Sequence, residues 1–304
     1  GSEMCIRDRY ILNYHFDEID LTTWSSFAPG SLEADGSKDA YADYRGFKAI
    51  EYSEEEKRHG DEYLKKIGVT GRYVSFRNRV AKGGCLGGVR NGDTSTYYKA
   101  VDYLQNNGIQ CVYVGLNENA DELGNGIIDA SKQYDAMMDL YIHSKADFFM
   151  GDHSGIISFA QLFDRPMILL NLPYFTMSGD AYGPTFVERD LLLPEKIFDT
   201  KNKKYLTIRQ MLEYEMTYPE YKDLVEYYVN NGFVFEKNTE DEILSVVKEM
   251  LARIEGTFAY SAEEQKLMDR YFGIMQNNAD RYEAKWCRAS IGIEFLKNNQ
   301  WLLD

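Results

Sequence analysis

The chain has 304 residues, 44% hydrophobic and 27% charged, which is the make-up of a soluble globular protein with room for one large domain or two of ordinary size. Its formal net charge of -15 excludes a role built on nucleic-acid backbone binding, which needs a concentrated positive surface. No apolar run approaches the roughly 18 to 20 residues that span a bilayer, so no transmembrane segment is expected.

The four cysteines (Cys5, Cys85, Cys111, Cys287) are scattered without a CxxC spacing, as expected of free thiols in a reducing cytoplasm rather than of a disulfide framework. His15, His59, His143 and His153 are equally dispersed, which argues against a zinc site, and no cofactor is expected.

The N-terminal run Met4-Cys5-Ile6-Arg7-Asp8-Arg9 looks like the in-frame translation of a sequencing adapter. Residues 10 to 50 show no sustained periodicity. The expected organisation is therefore an artefactual start and the remnant of a truncated N-terminal domain over 1–50, followed by a folded unit over 51–304.

Ser53-Glu54-Glu55-Glu56 forms a capping box, and the helix it opens runs through Tyr63 and Leu64 to a stop at Gly68. Arg72 to Arg77 reads as a short strand. A glycine-rich loop, Lys82 to Asp93, follows. It lacks the GxxxxGK[ST] order of a phosphate loop, so a mobile lid or connector is expected. Thr94 is placed to cap a helix with apolar positions Tyr97, Val101 and Leu104, closed by Asn107-Gly108. Ile109 to Gly115 is a strand, Asp135 to Ser144 a helix, Ala146 to Met150 a strand, Ile156 to Phe163 a helix and Pro166 to Asn171 a strand. Four short apolar strands alternating with helices predict an α/β fold, a Rossmann-like parallel sheet with flanking helices. Right-handed crossovers then place every strand-to-helix turn on one ligand-bearing edge.

Beyond Leu172 the pattern changes. Lys201 to Lys204 reads as a charged turn, and Thr207 with Gln210 as a second capping box. Gly232 to Phe235 reads as a strand, Thr239 and Ser261 as caps of two further helices, and Arg281 to Leu296 as a terminal helix.

Chemistry concentrates at Gly151-Asp152-His153-Ser154-Gly155, between a strand and a helix. Unpaired first-turn amides and the helix dipole favour an anion there, Ser154 adds a hydroxyl, and Gly155 permits close approach. The same spacing fits an ordinary βα loop with a serine N-cap. Arg77 and Arg79 lie where the first strand ends, suited to bidentate phosphate contact or to surface salt bridges. Asn91 and Asp93, in Arg90-Asn91-Gly92-Asp93, close the glycine-rich loop where a ligand contact is possible. Gln161, two turns into the helix, faces either a ribose hydroxyl or solvent.

Several segments resemble a glycosyltransferase family of bacterial polysaccharide loci, related to the GT-B enzymes that use nucleotide sugars. They are Tyr73-Val74-Ser75-Phe76-Arg77-Asn78-Arg79, Arg90-Asn91-Gly92-Asp93 before Tyr97 and Tyr98, and Ile127-Ile128-Asp129. The series continues with Phe148 to Gly155, Arg165-Pro166 and Phe295 to Leu303. The resemblance covers roughly Ser53 to the C-terminus. It implies the C-terminal, donor-binding domain of a GT-B fold with a helical C-terminal extension. The Ser-Gly turn would hold the diphosphate, first-strand arginines would assist, and Gln161 would stand where an acidic ribose-binding residue is common. Relatives often carry a histidine near Ser75-Phe76-Arg77, and this chain does not. The implied donor is a nucleoside diphosphate sugar, the implied acceptor a glycan or lipid-linked glycan, and no metal is implied. Two other readings remain at this level. One is a non-catalytic nucleotide-sugar binding module. The other is a UDP-sugar 2-epimerase-like enzyme, which would need acidic and basic groups at the sugar carbon.

Overall fold

The computed structural model describes residues 52–79, 89, 91–115, 123–124, 126–175, 188–218, 221–277 and 288–304. Residues 1–51, the tract 80–88 with Arg90, and 278–287 lie outside them. The adapter-like start, most of the glycine-rich loop and half of the expected terminal helix therefore fall outside the described residues.

Helix α1 (Glu54–Lys66) opens on the expected capping box. Ser53 Oγ accepts the Glu56 N–H at 3.2 Å and the Glu56 carboxylate accepts the Ser53 N–H at 2.7 Å. Strand β1 (Tyr73–Arg77) leads to a short 3-10 turn at Thr94–Tyr97, helix α2 (Tyr98–Asn106) and strand β2 (Gln110–Tyr113). Then come β3 (Ile128–Asp129), α3 (Ala136–Lys145), β4 (Phe149–Asp152), α4 (Ile157–Leu162) and β5 (Met167–Leu172). Strand β6 (Leu191–Pro194), a buried leucine run, follows.

These strands join β10 (Ser290–Ile291) in a seven-stranded sheet of order β10-β6-β5-β4-β1-β2-β3, every pair parallel. The expected α/β Rossmann-like sheet is present. Its strands are buried along their whole length in β1, β4, β5 and β6. The two-residue period of a strand deals side chains to opposite faces. Val74, Phe76, Cys111 and Tyr113 join the large core on one face, whereas Tyr73, Val112 and Val114 join the smaller core under α1 and α3 on the other. Gly60 lets α1 lie against α3, since a Cβ there would stand 2.4 Å from the Tyr141 ring.

A second, antiparallel sheet has the order β8-β7-β9, from β7 (Lys196–Asp199), β8 (Lys204–Tyr205) and β9 (Phe233–Glu236). Between β8 and β9 run α5 (Ile208–Thr217), on its Thr207–Gln210 capping box, and α6 (Tyr221–Asn230). Helices α7 (Glu240–Ile254) and α8 (Ala262–Asn277) follow, with β10 and α9 (Ile293–Asn298) at the end.

Two sequence expectations change. The stretch expected to form one terminal helix up to Leu296 holds, in its described part, strand β10 and short helix α9, because Ser290 and Ile291 pair with Leu191 and Leu192. The cap near residue 94 is Asp93, whose carboxylate accepts the Ser95 N–H at 2.9 Å. Thr94 instead receives the Asn78 amide at 2.7 Å.

Candidate functional site

The strand order reverses between β1 and β4. From β1 the chain builds outward through β2 and β3, then returns to β4 and builds the other way through β5 and β6. Crevices at the carboxyl ends of strands flanking such a reversal are where open α/β sheets bind ligands. Arg77 ends β1 and is the register partner of Gly151 in β4, so the two sequence-selected segments flank this reversal point. Gly151 is required there, since a Cβ would lie 2.0 Å from the Arg77 carbonyl oxygen.

Arg77 is buried. Its Nη1 donates to the Val114 carbonyl at 3.1 Å, and the guanidinium lies 5.2 Å from the Tyr113 ring centroid. A Cβ on Gly115 would stand 3.2 Å from both Arg77 Nη1 and Ile156 Cδ1. The guanidinium therefore lies near the Ile156 side chain, which stands at the N-cap position of α4. Gly115, at φ 75°, leaves the space in which it sits.

The turn departs from the serine-cap reading. Asp152 is the last residue of β4, and α4 is only six residues long, with Ile156 at its N-cap position and no side-chain cap. Ser154 is buried, its carbonyl accepts the Ile157 N–H at 3.2 Å, and its hydroxyl has no hydrogen-bond partner. A buried hydroxyl left unsatisfied costs free energy, and a ligand that engages it recovers that cost. Gly155, half-buried, follows it directly. The helix is only six residues long, so its dipole is weak, and the donors that the turn offers are backbone amides and the Ser154 hydroxyl.

Asp152 does not face this space. Its carboxylate accepts the Arg79 N–H at 3.0 Å, the Tyr97 hydroxyl at 2.9 Å and the Asn171 amide at 2.6 Å. Burial raises its carboxyl above the ordinary range while these three hydrogen bonds oppose the rise. Gly92 packs against the same carboxylate, and its N–H donates to the Arg79 carbonyl at 2.8 Å, closing the glycine-rich loop beside Asn91. Arg79 thus enters the site through its backbone, and Asp93 is engaged as a cap. His153 is buried with Nδ1 2.8 Å from the Tyr174 hydroxyl. Gln161 lies half-buried on the last turn of α4, seven positions beyond Ser154.

The structure therefore gathers Arg77, Asp152, Ser154 and Gly155 at one edge and joins Arg79 to them through its main chain. It adds residues the sequence reading did not select. Asn171 and Asn238 exchange hydrogen bonds, each side-chain oxygen accepting the other's N–H, at 2.6 and 2.8 Å. Asn171 takes the left-handed conformation, φ 50°. Glu195, directly after β6, is fully buried and contacts Lys237. A signal existed for one of these. Asn171 is the single polar residue in Met-Ile-Leu-Leu-Asn-Leu, and a polar residue inside a buried strand needs a partner.

Among the described residues no group of His, Cys, Asp and Glu is arranged to hold a metal ion, and no helix is long and apolar enough to cross a membrane. No family model and no curated protein matches the chain. One solved structure with a similar course of the chain is "The crystal structure of the glycosyl transferase family 9 from Veillonella parvula DSM 2008", at 15% identity and a TM-score of 0.43. The match covers 67% of this chain, and the chain spans about half of that structure's length (53%).

Proposed function

We propose that residues 51–304 form the donor-binding half of a metal-independent, GT-B-type glycosyltransferase, which takes a nucleoside diphosphate sugar and serves a glycan or lipid-linked acceptor in the cytoplasm. The observation that carries the reading is the buried Ser154 hydroxyl without a partner, on a glycine-flanked turn at the strand-order reversal, with Arg77 ending the neighbouring strand in register with Gly151. A diphosphate supplies acceptor oxygens for both groups. The family resemblance of the same segments supports a nucleotide sugar as its carrier.

In this reading the turn amides, Ser154 and Arg77 hold the diphosphate through charge-assisted hydrogen bonds. When the bond from the sugar to the diphosphate breaks, negative charge grows on the leaving oxygen, and preorganised donors stabilise it without further rearrangement. Asp152 positions the two sides of the site by holding Arg79 against β4. A calorimetric screen against UDP, GDP, CMP and dTDP tests the reading. Binding of at least one of the three nucleoside diphosphates is expected, and failure of UDP, GDP and dTDP alike at millimolar concentration overturns it.

A further inference from the structure

Asn78 directly follows β1 and is bracketed by two contacts to β4. The residue before it, Arg77, is in register with Gly151, and the residue after it, Arg79, donates its N–H to Asp152 at 3.0 Å. Asn78 therefore stands across from the segment that runs into Ser154, where the strand order reverses.

The residue is 1% exposed, and its amide is only half satisfied. Nδ2 donates to Thr94 Oγ1 at 2.7 Å, which holds the side chain beside the 3-10 turn that leads into α2. Among the described residues Oδ1 has no hydrogen-bond partner. A buried amide oxygen without a donor costs free energy, and a ligand that brings a donor recovers that cost.

Two neighbouring strand ends thus carry a buried polar atom left unsatisfied, Asn78 Oδ1 after β1 and Ser154 Oγ after β4. They ask for different chemistry. A hydroxyl can donate, so a phosphate oxygen satisfies Ser154, whereas an amide oxygen only accepts. A fully ionised diphosphate has no proton to offer Asn78. A ligand that satisfies both atoms joins its phosphate to an organic group that bears O–H or N–H.

We propose that Asn78 is a specificity-determining residue of this site, whose Oδ1 accepts a hydrogen bond from the organic group joined to the diphosphate and so selects phosphate esters over inorganic phosphates. The inference rests on the reading of the site given under Proposed function. The donor belongs either to the nucleoside or to the sugar beyond the diphosphate, and both present the same chemistry to the amide oxygen.

The test is calorimetric binding of inorganic pyrophosphate, UDP, GDP, UDP-glucose and GDP-mannose to wild type, Asn78→Ala and Asn78→Asp, each first checked for a cooperative melt. The readout is the affinity for each organic probe relative to that for pyrophosphate, which cancels any general disturbance of the phosphate site. Asn78→Ala should lower this ratio about three- to tenfold, the loss of one hydrogen bond. A loss already present with UDP or GDP assigns the donor to the nucleoside, and a loss confined to the nucleotide sugars assigns it to the sugar. Asn78→Asp keeps an acceptor oxygen in place, and its added charge acts on the phosphates of every probe, so its ratio should stay at the wild-type value. An unchanged ratio in Asn78→Ala overturns the inference. An equal fall in both variants also overturns it, since the amide nitrogen rather than the oxygen would then meet the ligand. If Ser154→Ala weakens pyrophosphate binding while Asn78→Ala leaves every ratio unchanged, this inference alone fails. If wild type binds none of the five probes, the site reading fails with it.

Discussion

The Asp152 carboxylate accepts the Arg79 N–H at 3.0 Å, and that hydrogen bond joins the end of β1 to the turn that follows β4. With the Tyr97 hydroxyl and the Asn171 amide on the same carboxylate, Asp152 is the node on which the two halves of the reversed sheet meet. Asp152→Ala would strand two buried donors, on Tyr97 and Asn171, and the part-buried Arg79 N–H. It should destabilise the protein by about 3 kcal/mol or more in urea unfolding, whereas Tyr97→Phe, which removes one donor and leaves the ring packed, should cost about 1 kcal/mol. Equal losses for the two variants would show that the network does not converge on Asp152.

Gly151 tests the spacing of the same two strands. A methyl group there meets the Arg77 carbonyl oxygen at 2.0 Å, and both atoms are on or next to main chain, so neither can rotate away. Gly151→Ala should cost on the order of 2 kcal/mol or more by forcing β1 from β4. It should also weaken anion binding by displacing Arg77. A melting temperature within a degree of wild type would contradict this geometry.

His143 should make the fold acid-sensitive. Its ring is fully buried, Nδ1 lies 3.1 Å from Ser75 Oγ, and burial lowers its pKa from 6.5 to about 3. The folded protein thus keeps the ring neutral, while the unfolded chain takes up a proton below pH 6.5. Stability contributed by the neutral ring is complete above that pH and is lost as pH falls toward 3, with a limiting slope of about 1.4 kcal/mol per pH unit. Urea titrations between pH 7.5 and 4.5 should show this slope reduced in His143→Gln. The same pH dependence in both proteins would assign the acid sensitivity elsewhere.

Much of the fold was legible because its signals are local. Ser53–Glu56, Thr207–Gln210 and Thr239 all cap the helices their spacing marked. The apolar runs read as strands over Arg72–Arg77, Ala146–Met150 and Pro166–Asn171 overlap strands β1, β4 and β5 of the buried parallel sheet, the last two ending at Asp152 and Leu172. Strand β6 escaped because Leu-Leu-Leu-Pro has no alternation and too little length to separate strand from helix, and only its pairing with β5 and β10 decides it. The site was half legible. Ser154 and Arg77 announce themselves by residue type beside a turn. Asn238, Lys237 and Glu195 reach the same edge from positions 40 or more residues beyond the turn, through contacts that no local pattern encodes. Asp152 was legible as a member of the turn. Its role as an internal anchor depends on Tyr97 and Asn171, which arrive from other elements.

Ser154 is the residue on which the account can be separated from an ordinary loop. A serine that capped α4 would cost about 1 kcal/mol of stability when replaced by alanine. Here the hydroxyl caps nothing and is unsatisfied, so Ser154→Ala should leave stability unchanged or slightly raised. The decisive measurement is calorimetric titration of wild type, Ser154→Ala and Arg77→Ala with the nucleoside diphosphate that binds wild type, beside their urea unfolding curves. The account predicts several-fold weaker binding for Ser154→Ala at wild-type stability, and a larger loss, about tenfold or more, for Arg77→Ala. Equal affinity in all three proteins would place the diphosphate elsewhere and contradict the assignment of the β4 turn.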